Sequence, residues 1–292
     1  MAPPDDVAPD EHAPDRSDTP RGRLIRYSEA RHYLWGDAVS GRVKDWYYAS
    51  SPLIHMAMFS VPPGGMWRHS DTHKSYYGAD ECYLLLRGEL TIHNPETGDV
   101  AVVRAGEGLH FREKTWHYGY NGYNFTQQET IIICTFAPVP ADITSAAALA
   151  AAVPPLREVK LGRYDAMDRF PWNAADVDRS SAFRVLPRNE WLHVIAGEEL
   201  PIRLDLMVAT DKLSSGLFDL LPGWVTDATT HAGDEVTFVT SGQASLYLPD
   251  TAEWFELHER DGGYVRGGVP HRWYNTTEHP ATVFFGVAPA LR

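Results

Sequence analysis

At 292 residues, with 43% hydrophobic and 22% charged side chains, the chain has an ordinary globular composition, with room for one large domain or two of roughly 130 to 150 residues. Its net charge of −13, without clustered Lys or Arg, argues against a nucleic-acid surface, since phosphate neutralisation needs such clusters. No run approaches the roughly 20 apolar residues of a membrane span, and Cys82 and Cys134 lie in apolar runs where small buried thiols are expected.

Residues 1–23 are rich in Pro and Asp, lack the apolar core of a secretory signal, and read as a disordered tail. A cytoplasmic location is expected. From 24 to 140 the apolar runs are short and β-rich: LIHMAMFSV, CYLLLRG, ELTIHN, VAVVRA and TIIICTFAPV, with NPETGD as a hairpin-type turn. Residues 141–160 are Ala-rich and favour a short helix ending at Pro154-Pro155, which serves as the connection. From 161 to 292 the runs are IRLDLMVA, GLFDLL, VTFVTSG, ASLYLP, WFELHE and TVFFGVA. Many short strands at regular spacing indicate an all-β sandwich or barrel, and their repetition indicates two in tandem. The stretches 27–46 and 164–191 read as either further strands or loops.

A chemical pattern repeats along with the strands. Glu81, Gly88, His117 and Asn121 recur as Glu235, Gly242, His271 and Asn275, each displaced by 154 positions (235−81, 242−88, 271−117, 275−121). Each Glu follows a histidine: His231 in THAGDE, and His73 in THKSYYGADE, with His69 as a rival. Strand alternation puts Glu81 with Tyr83, and Glu235 with Thr237, on one face. The glycine seven positions on permits a tight turn, after which two hairpins return the later histidine to the same barrel mouth. Two imidazoles and one carboxylate suit a mid-series divalent ion with open positions, iron(II) in particular.

These residues resemble the cupin superfamily, and the duplication makes the chain look like a bicupin. THAGDEVTFVTSG and ECYLLLRG match the family's first motif, while RGGVPHRWYN and GEGLHFREKTWHYGYN match its second. The resemblance implies two double-stranded β-helix (jelly-roll) barrels. It implies metal ligands His231, Glu235 and His271 in the second half, and Glu81 and His117 with His69, His73 or both in the first. With His73 aligned to His231, the first histidine of the family's His-x-His pair is replaced by Thr229 and Asp71, which leaves a three-ligand site. The first half then carries an inserted loop, with seven residues between His73 and Glu81.

Asn121 and Asn275 are expected as turn hydrogen-bonders. Tyr76, Tyr77, Trp116, Tyr118 and Tyr120 crowd the first site, and Trp273 and Tyr274 the second; they either pack the barrels or line a pocket for a planar or apolar substrate. Tyr83, Arg266 and Trp273 are the candidate pocket residues, and Arg68, Arg112, Arg266 and Arg272 the candidates for a substrate carboxylate. The resemblance implies a metal-dependent enzyme, foremost a non-heme iron dioxygenase or oxygenase acting on a small phenolic or hydroxy-acid substrate. Mn(II), Zn(II) and Ni(II) are the other ions. An isomerase or lyase of a keto-sugar or hydroxy acid would need a proton-carrying Tyr, Glu or His. A non-catalytic binding or structural bicupin is the third reading. Edge-strand pairing makes a homodimer the expected assembly, and the second half is expected to hold the working site. His55 is among the histidines without a partner motif.

Overall fold

The structure, a computed structural model, describes residues 20–122, 128–139, 150–156, 158–160, 183–289 and 291. The apolar runs form strands, closed at their ends by the turn residues between them. The early strands are β1 (Gly22–Ile25), β2 (Arg31–Asp37), β3 (Gly41–Ser50), β4 (His55–Val61), β5 (Met66–Trp67), β6 (Asp80–Arg87) and β7 (Glu89–His93). Next come β8 (Val100–Arg104), β9 (Gly108–Phe111), β10 (Tyr118–Tyr120), β11 (Thr130–Ala137) and β12 (Phe183–Leu186). Then follow β13 (Leu192–Ala196), β14 (Ile202–Ala209), β15 (Ser214–Leu220), β16 (Asp234–Ser241) and β17 (Gln243–Leu248). The last are β18 (Glu253–His258), β19 (Gly262–Val265), β20 (Arg272–Tyr274) and β21 (Ala281–Ala288).

Each half forms a barrel of one large and one small antiparallel sheet. In the first barrel a seven-stranded sheet ordered β12-β9-β6-β11-β4-β3-β2 is completed by β5-β10-β7-β8. In the second, β1-β19-β16-β21-β15-β14-β13 is completed by β18-β17-β20. This is the all-β, two-barrel architecture that the repeat predicts. The stretch 27–46 contributes strands β2 and β3. No helix among the described residues is long and apolar enough to cross a membrane.

Two short strands cross between the halves. β1 pairs with β19 of the second barrel, from Gly22↔Val265 to Ile25↔Gly262. β12 pairs with β9 of the first, from Phe183↔Phe111 to Leu186↔Gly108. The tail reading of 1–23 is therefore corrected at its end: residues 22 and 23 are strand, held because β1 pairs the free backbone edge of β19 and buries Ile25. Residues 1–19 of that segment lie outside the described residues. So does most of the connection at 141–160, of which a helical turn at 150–152 is described, and so do residues 161–182.

Strand alternation sorts the side chains into three cores. Along β6, Cys82 and Leu84 face the second half, while Tyr83 and Leu85 point into the first barrel. Along β16, Val236 and Phe238 join the shared layer, where the Tyr48 ring meets Phe238 edge-on at 5.3 Å. Burying a side chain the size of Phe238 contributes roughly 1.5–3 kcal/mol. The motif glycines do what was expected of them. Gly88 and Gly242 take φ +84° and +77°, and a Cβ on Gly242 would collide with the Pro280 carbonyl.

Candidate metal centre

The second barrel assembles its candidate ligands at the inner end of β16. Glu235 points inward from that strand, four residues after His231, and His271 arrives just before β20. A two-way backbone bridge pins His271 to Thr229, with N–H to O distances of 2.8 and 3.0 Å, and Gly268 N–H donates to the His231 carbonyl at 2.8 Å. These bonds fix the loop that carries His231 against the loop that carries His271.

The result is convergent. Glu235 Oε2 lies 3.1 Å from His231 Nε2 and 3.0 Å from His271 Nε2, and the three candidate ligand atoms fall within 4.8 Å of one another. His271 Nδ1–H donates to the Val269 carbonyl at 3.1 Å, so in the neutral ring Nε2 carries the lone pair. That lone pair faces a carboxylate oxygen that has no hydrogen-bond donor. Only a cation, a proton or a metal ion, satisfies both. Burial opposes ionisation here, but the electrostatic pull of the adjacent His271 and His231 imidazoles outweighs it and holds the Glu235 carboxyl below its usual range. Against the same burial, Glu235 raises His271. The donor set fits a divalent ion: two imidazoles, one carboxylate and the Thr229 hydroxyl 3.3 Å from His271 Nε2.

Beside these ligands lies a cavity of about 320 Å³. Its walls include Leu204, Phe218, Trp273 and Phe285, and its polar lining beyond the ligands is the hydroxyls of Thr226, Thr229 and Thr230. Trp273 lines this cavity. Arg266 does not; its backbone N–H donates to the Arg21 carbonyl. Among the described residues no Arg lines the cavity, so neither Arg266 nor Arg272 forms the expected carboxylate clamp there.

The first barrel builds a different site on the same plan. Glu81 and His117 meet, with Oε2 to Nε2 at 3.7 Å, and His117 Nδ1–H donates to the Thr115 carbonyl at 3.1 Å, as its counterpart does to Val269. Between them stands Tyr83, whose hydroxyl donates to Glu81 Oε2 at 2.7 Å and lies 3.3 Å from His117 Nε2. The hydroxyl thus bridges the two groups that in the second barrel are left to a cation. Burial pushes Glu81 well up, although the Tyr83 bond pulls the other way, and it pushes His117 down to about 4. His117 is therefore neutral near pH 7, while Glu81 is shifted toward its neutral form.

Neither rival histidine joins them. His73 Nδ1 lies 3.0 Å from the Thr72 hydroxyl and 3.4 Å from Asp37 Oδ2. The His69 ring packs between Trp116 and Tyr118, at 5.6 and 5.4 Å. The alignment of His73 with His231 is corrected by the backbone. Lys114 N–H donates to the Tyr77 carbonyl at 2.6 Å, matching the bond from Gly268 to His231, and Lys114 and Gly268 share a positive φ of 59° and 78°. His117 N–H donates to Ser75, as His271 does to Thr229. The counterpart of His231 is therefore Tyr77, that of Thr229 is Ser75, and no loop is inserted. The constant offset of 154 (231−77, 229−75) holds this signal in plain view; the nearby histidine obscured it. Among the described residues, only His231, Glu235 and His271 converge as a group of three metal-ligating side chains.

Asn121 and Asn275 are hydrogen-bonders, as expected. Asn121 Nδ2 donates to the Val61 and Gln128 carbonyls, both at 2.8 Å, and Asn275 Nδ2 to Leu220 and His279 at 2.9 and 2.8 Å.

Residues 216–287, from β15 to β21, match the cupin domain family model. The fold is similar along nearly its whole length to the oxalate decarboxylase of Lactobacillus farciminis, with a TM-score of 0.61 over 94% of this chain and 88% of that one, at 13% identity. The fold is a bicupin. This bicupin is also similar to the oxalate decarboxylase of Bacillus subtilis, with a TM-score of 0.59 over 94% and 78% of the two chains at 13% identity. AerE from Microcystis aeruginosa gives a TM-score of 0.56 over 89% and 97% at 9% identity. A comparison with curated proteins gives no match. At these identities the likeness establishes the bicupin fold and leaves the chemistry to be argued from the site.

Proposed function

We propose that this bicupin is a metal-dependent enzyme working from the His231–Glu235–His271 centre, and that it is a non-heme iron(II) oxygenase of a small organic molecule bearing a phenolic or alcoholic oxygen. The observation that carries this is the buried Glu235 oxygen facing two imidazole nitrogens at 3.0 and 3.1 Å without a hydrogen-bond donor, at the edge of an apolar cavity. A divalent ion held by these residues would supply Lewis acidity and redox capacity at open coordination positions.

The chain's own contribution is orientation and dryness. The Val269 carbonyl holds the His271 tautomer, and the bridge to Thr229 holds its backbone. Phe218, Trp273 and Phe285 present ring-sized apolar walls that exclude water and favour a planar substrate. An isomerase or lyase needs a side chain that accepts and returns a proton. Apart from the candidate ligands, the polar side chains among the described residues of this cavity are threonine hydroxyls, which do not titrate near neutrality. That favours the oxygenase reading. It also favours a substrate without a carboxylate, since no cationic side chain lines the wall among the described residues.

The Bacillus subtilis oxalate decarboxylase is described as having Mn(II) centres, so manganese is iron's direct competitor here. The test is anaerobic reconstitution with Fe(II), Mn(II), Zn(II) or Ni(II), elemental analysis, then oxygen uptake with a panel of phenols, catechols and alcohols. Iron-dependent uptake that is lost in His271→Ala is expected. Turnover that persists without oxygen in the manganese or zinc form would replace the oxygenase reading with the isomerase or lyase one. Failure to retain any of the four ions would remove the metal reading altogether.

A further inference from the structure

The first barrel encloses a cavity of its own, about 170 Å³ in volume, and its lining differs in kind. Strand alternation brings Tyr33 and Trp35 of β2, Asp45 and Tyr47 of β3 and His55 of β4 to one wall. The register places Tyr33 directly beside Asp45, and the Tyr33 and Tyr47 rings lie 4.4 Å apart. Tyr47 meets the His55 ring edge-on at 4.8 Å.

Two polar groups on this wall have nothing to bond to. The Asp45 carboxyl makes no hydrogen bond or ion pair with the described residues, although it borders the cavity. His55 is 1% exposed, and its Nδ1 has no partner. Withdrawing a carboxyl and an imidazole from water without partners costs kcal/mol for each, which is why such groups in folded proteins nearly always have a partner. Among the described residues no Lys or Arg lines the cavity, and none of them supplies a positive charge to Asp45.

The wall specifies what would. A buried carboxyl among aromatic rings favours a cation twice over, since the cation allows it to ionise as an ion pair and meets the negative faces of the rings. Carboxylates and phosphates find no cationic partner among the described residues of this wall. The volume is close to the roughly 150 Å³ that accommodates one benzene ring. Tyr33 and Leu34, 40% and 60% exposed, form the way in.

We infer that the first barrel is a metal-independent binding site for a small organic ammonium ion with a body the size of a single ring, anchored by Asp45. The ammonium donates a hydrogen bond to the Asp45 carboxylate, and the ring packs against Trp35 and Tyr47. The inference stands apart from the oxygenase reading, because none of these residues belongs to the second barrel.

The test uses the full chain in two forms, stripped by chelator and loaded with metal, titrated with benzylamine, benzyl alcohol and benzoate by calorimetry and tryptophan fluorescence. Benzylamine is expected to bind on the order of tenfold more tightly than benzyl alcohol in both forms, the equivalent of one modest ion pair, and benzoate not at all. Asp45→Asn is expected to remove that advantage. Tyr33→Ala, on an exposed edge strand where folding is not at stake, is expected to weaken benzylamine several-fold. Equal affinities for benzylamine and benzyl alcohol, or an amine advantage that survives Asp45→Asn, would overturn the inference. An amine advantage seen only in the metal-loaded form, or an unchanged affinity in Tyr33→Ala, would overturn it as well. Loss of oxygen uptake in the second barrel has no bearing on these outcomes.

Discussion

Asp45→Asn is expected to stabilise the protein, by an amount that grows with pH. Burial raises the Asp45 carboxyl from its ordinary 3.8 to about 8. The folded state therefore favours the neutral acid, so stability is fully present below about 3.8 and is lost as pH rises toward about 8. With each pH unit between those values worth about 1.4 kcal/mol, the penalty near pH 7 has a ceiling of about 4 kcal/mol. Asp45 borders a cavity and is only partly shielded, so a working value is about 2 kcal/mol at an effective interior dielectric near 20. The groups facing it do not confuse the measurement. His55 is lowered to about 4 by burial, and the Tyr47 hydroxyl is raised by burial and by Asp45 itself, so both are neutral across the window. Urea midpoints of wild type and Asp45→Asn, compared from about pH 5 to about pH 8 at constant ionic strength, read the difference directly if the slopes agree. Any offset from the new amide is independent of pH. A gap that stays constant across the range, or one that shrinks as pH rises, would refute the argument that this carboxyl is buried without a partner.

If a tyrosine hydroxyl stands in for the ion in the first barrel, then Tyr77→His with Tyr83→Thr, which copies the second barrel, should raise metal content by a further equivalent. Loss of the Tyr83 ring from its contacts with Phe59 and Phe111 costs about 3 kcal/mol, so stability should fall as capacity rises. Gly242→Ala should cost at least about 2 kcal/mol, because it adds a collision with the Pro280 carbonyl to an unfavourable φ. Gly223→Ala, with a similar φ of +72° and open space around it, should cost about 1 kcal/mol; equal losses in thermal melts would count against the collision. Because the two halves share one apolar layer, heating should give a single calorimetric transition that shifts upward with metal. Two transitions, of which only one responds to metal, would show the barrels to be energetically separate.

The sequence made the repeat legible because the hairpins between each Glu and its later histidine are of equal length, so every strand from β6 to β10 has a partner at the same offset. His231, Glu235 and His271 were legible for the same reason. Tyr77 was not, because a search for ligands follows histidines, whereas its equivalence to His231 is carried by a carbonyl that accepts the Lys114 N–H. The exchange of β1 and β12 left no signal either. Four residues such as GRLI or FRVL show no periodicity that names a partner sheet, and the choice is made by where Ile25 and Leu186 are buried. Asp45 was hidden by its own type, since a charged residue in a strand reads as solvent-facing until the register turns it inward.

The asymmetry between the barrels follows from what each does with one inward carboxylate. Glu235 sits within reach of two imidazoles and stays charged, a state that a metal ion stabilises further. Glu81 has Tyr77 in place of one of those imidazoles and a hydroxyl from Tyr83, and burial pushes its carboxyl toward the neutral form. Once Glu81 no longer needs a cation, the aromatic rings that replaced the ligands are free to shape a pocket. Among the described residues that line the pocket, Asp45 is a carboxyl without a partner, three strands away across β11 and β4. A barrel that had merely decayed would have no reason to keep that group, because almost any apolar side chain at position 45 would make the fold more stable. Its presence, in a cavity that no Lys or Arg lines among the described residues, is the physical ground for treating the first barrel as a second binding site.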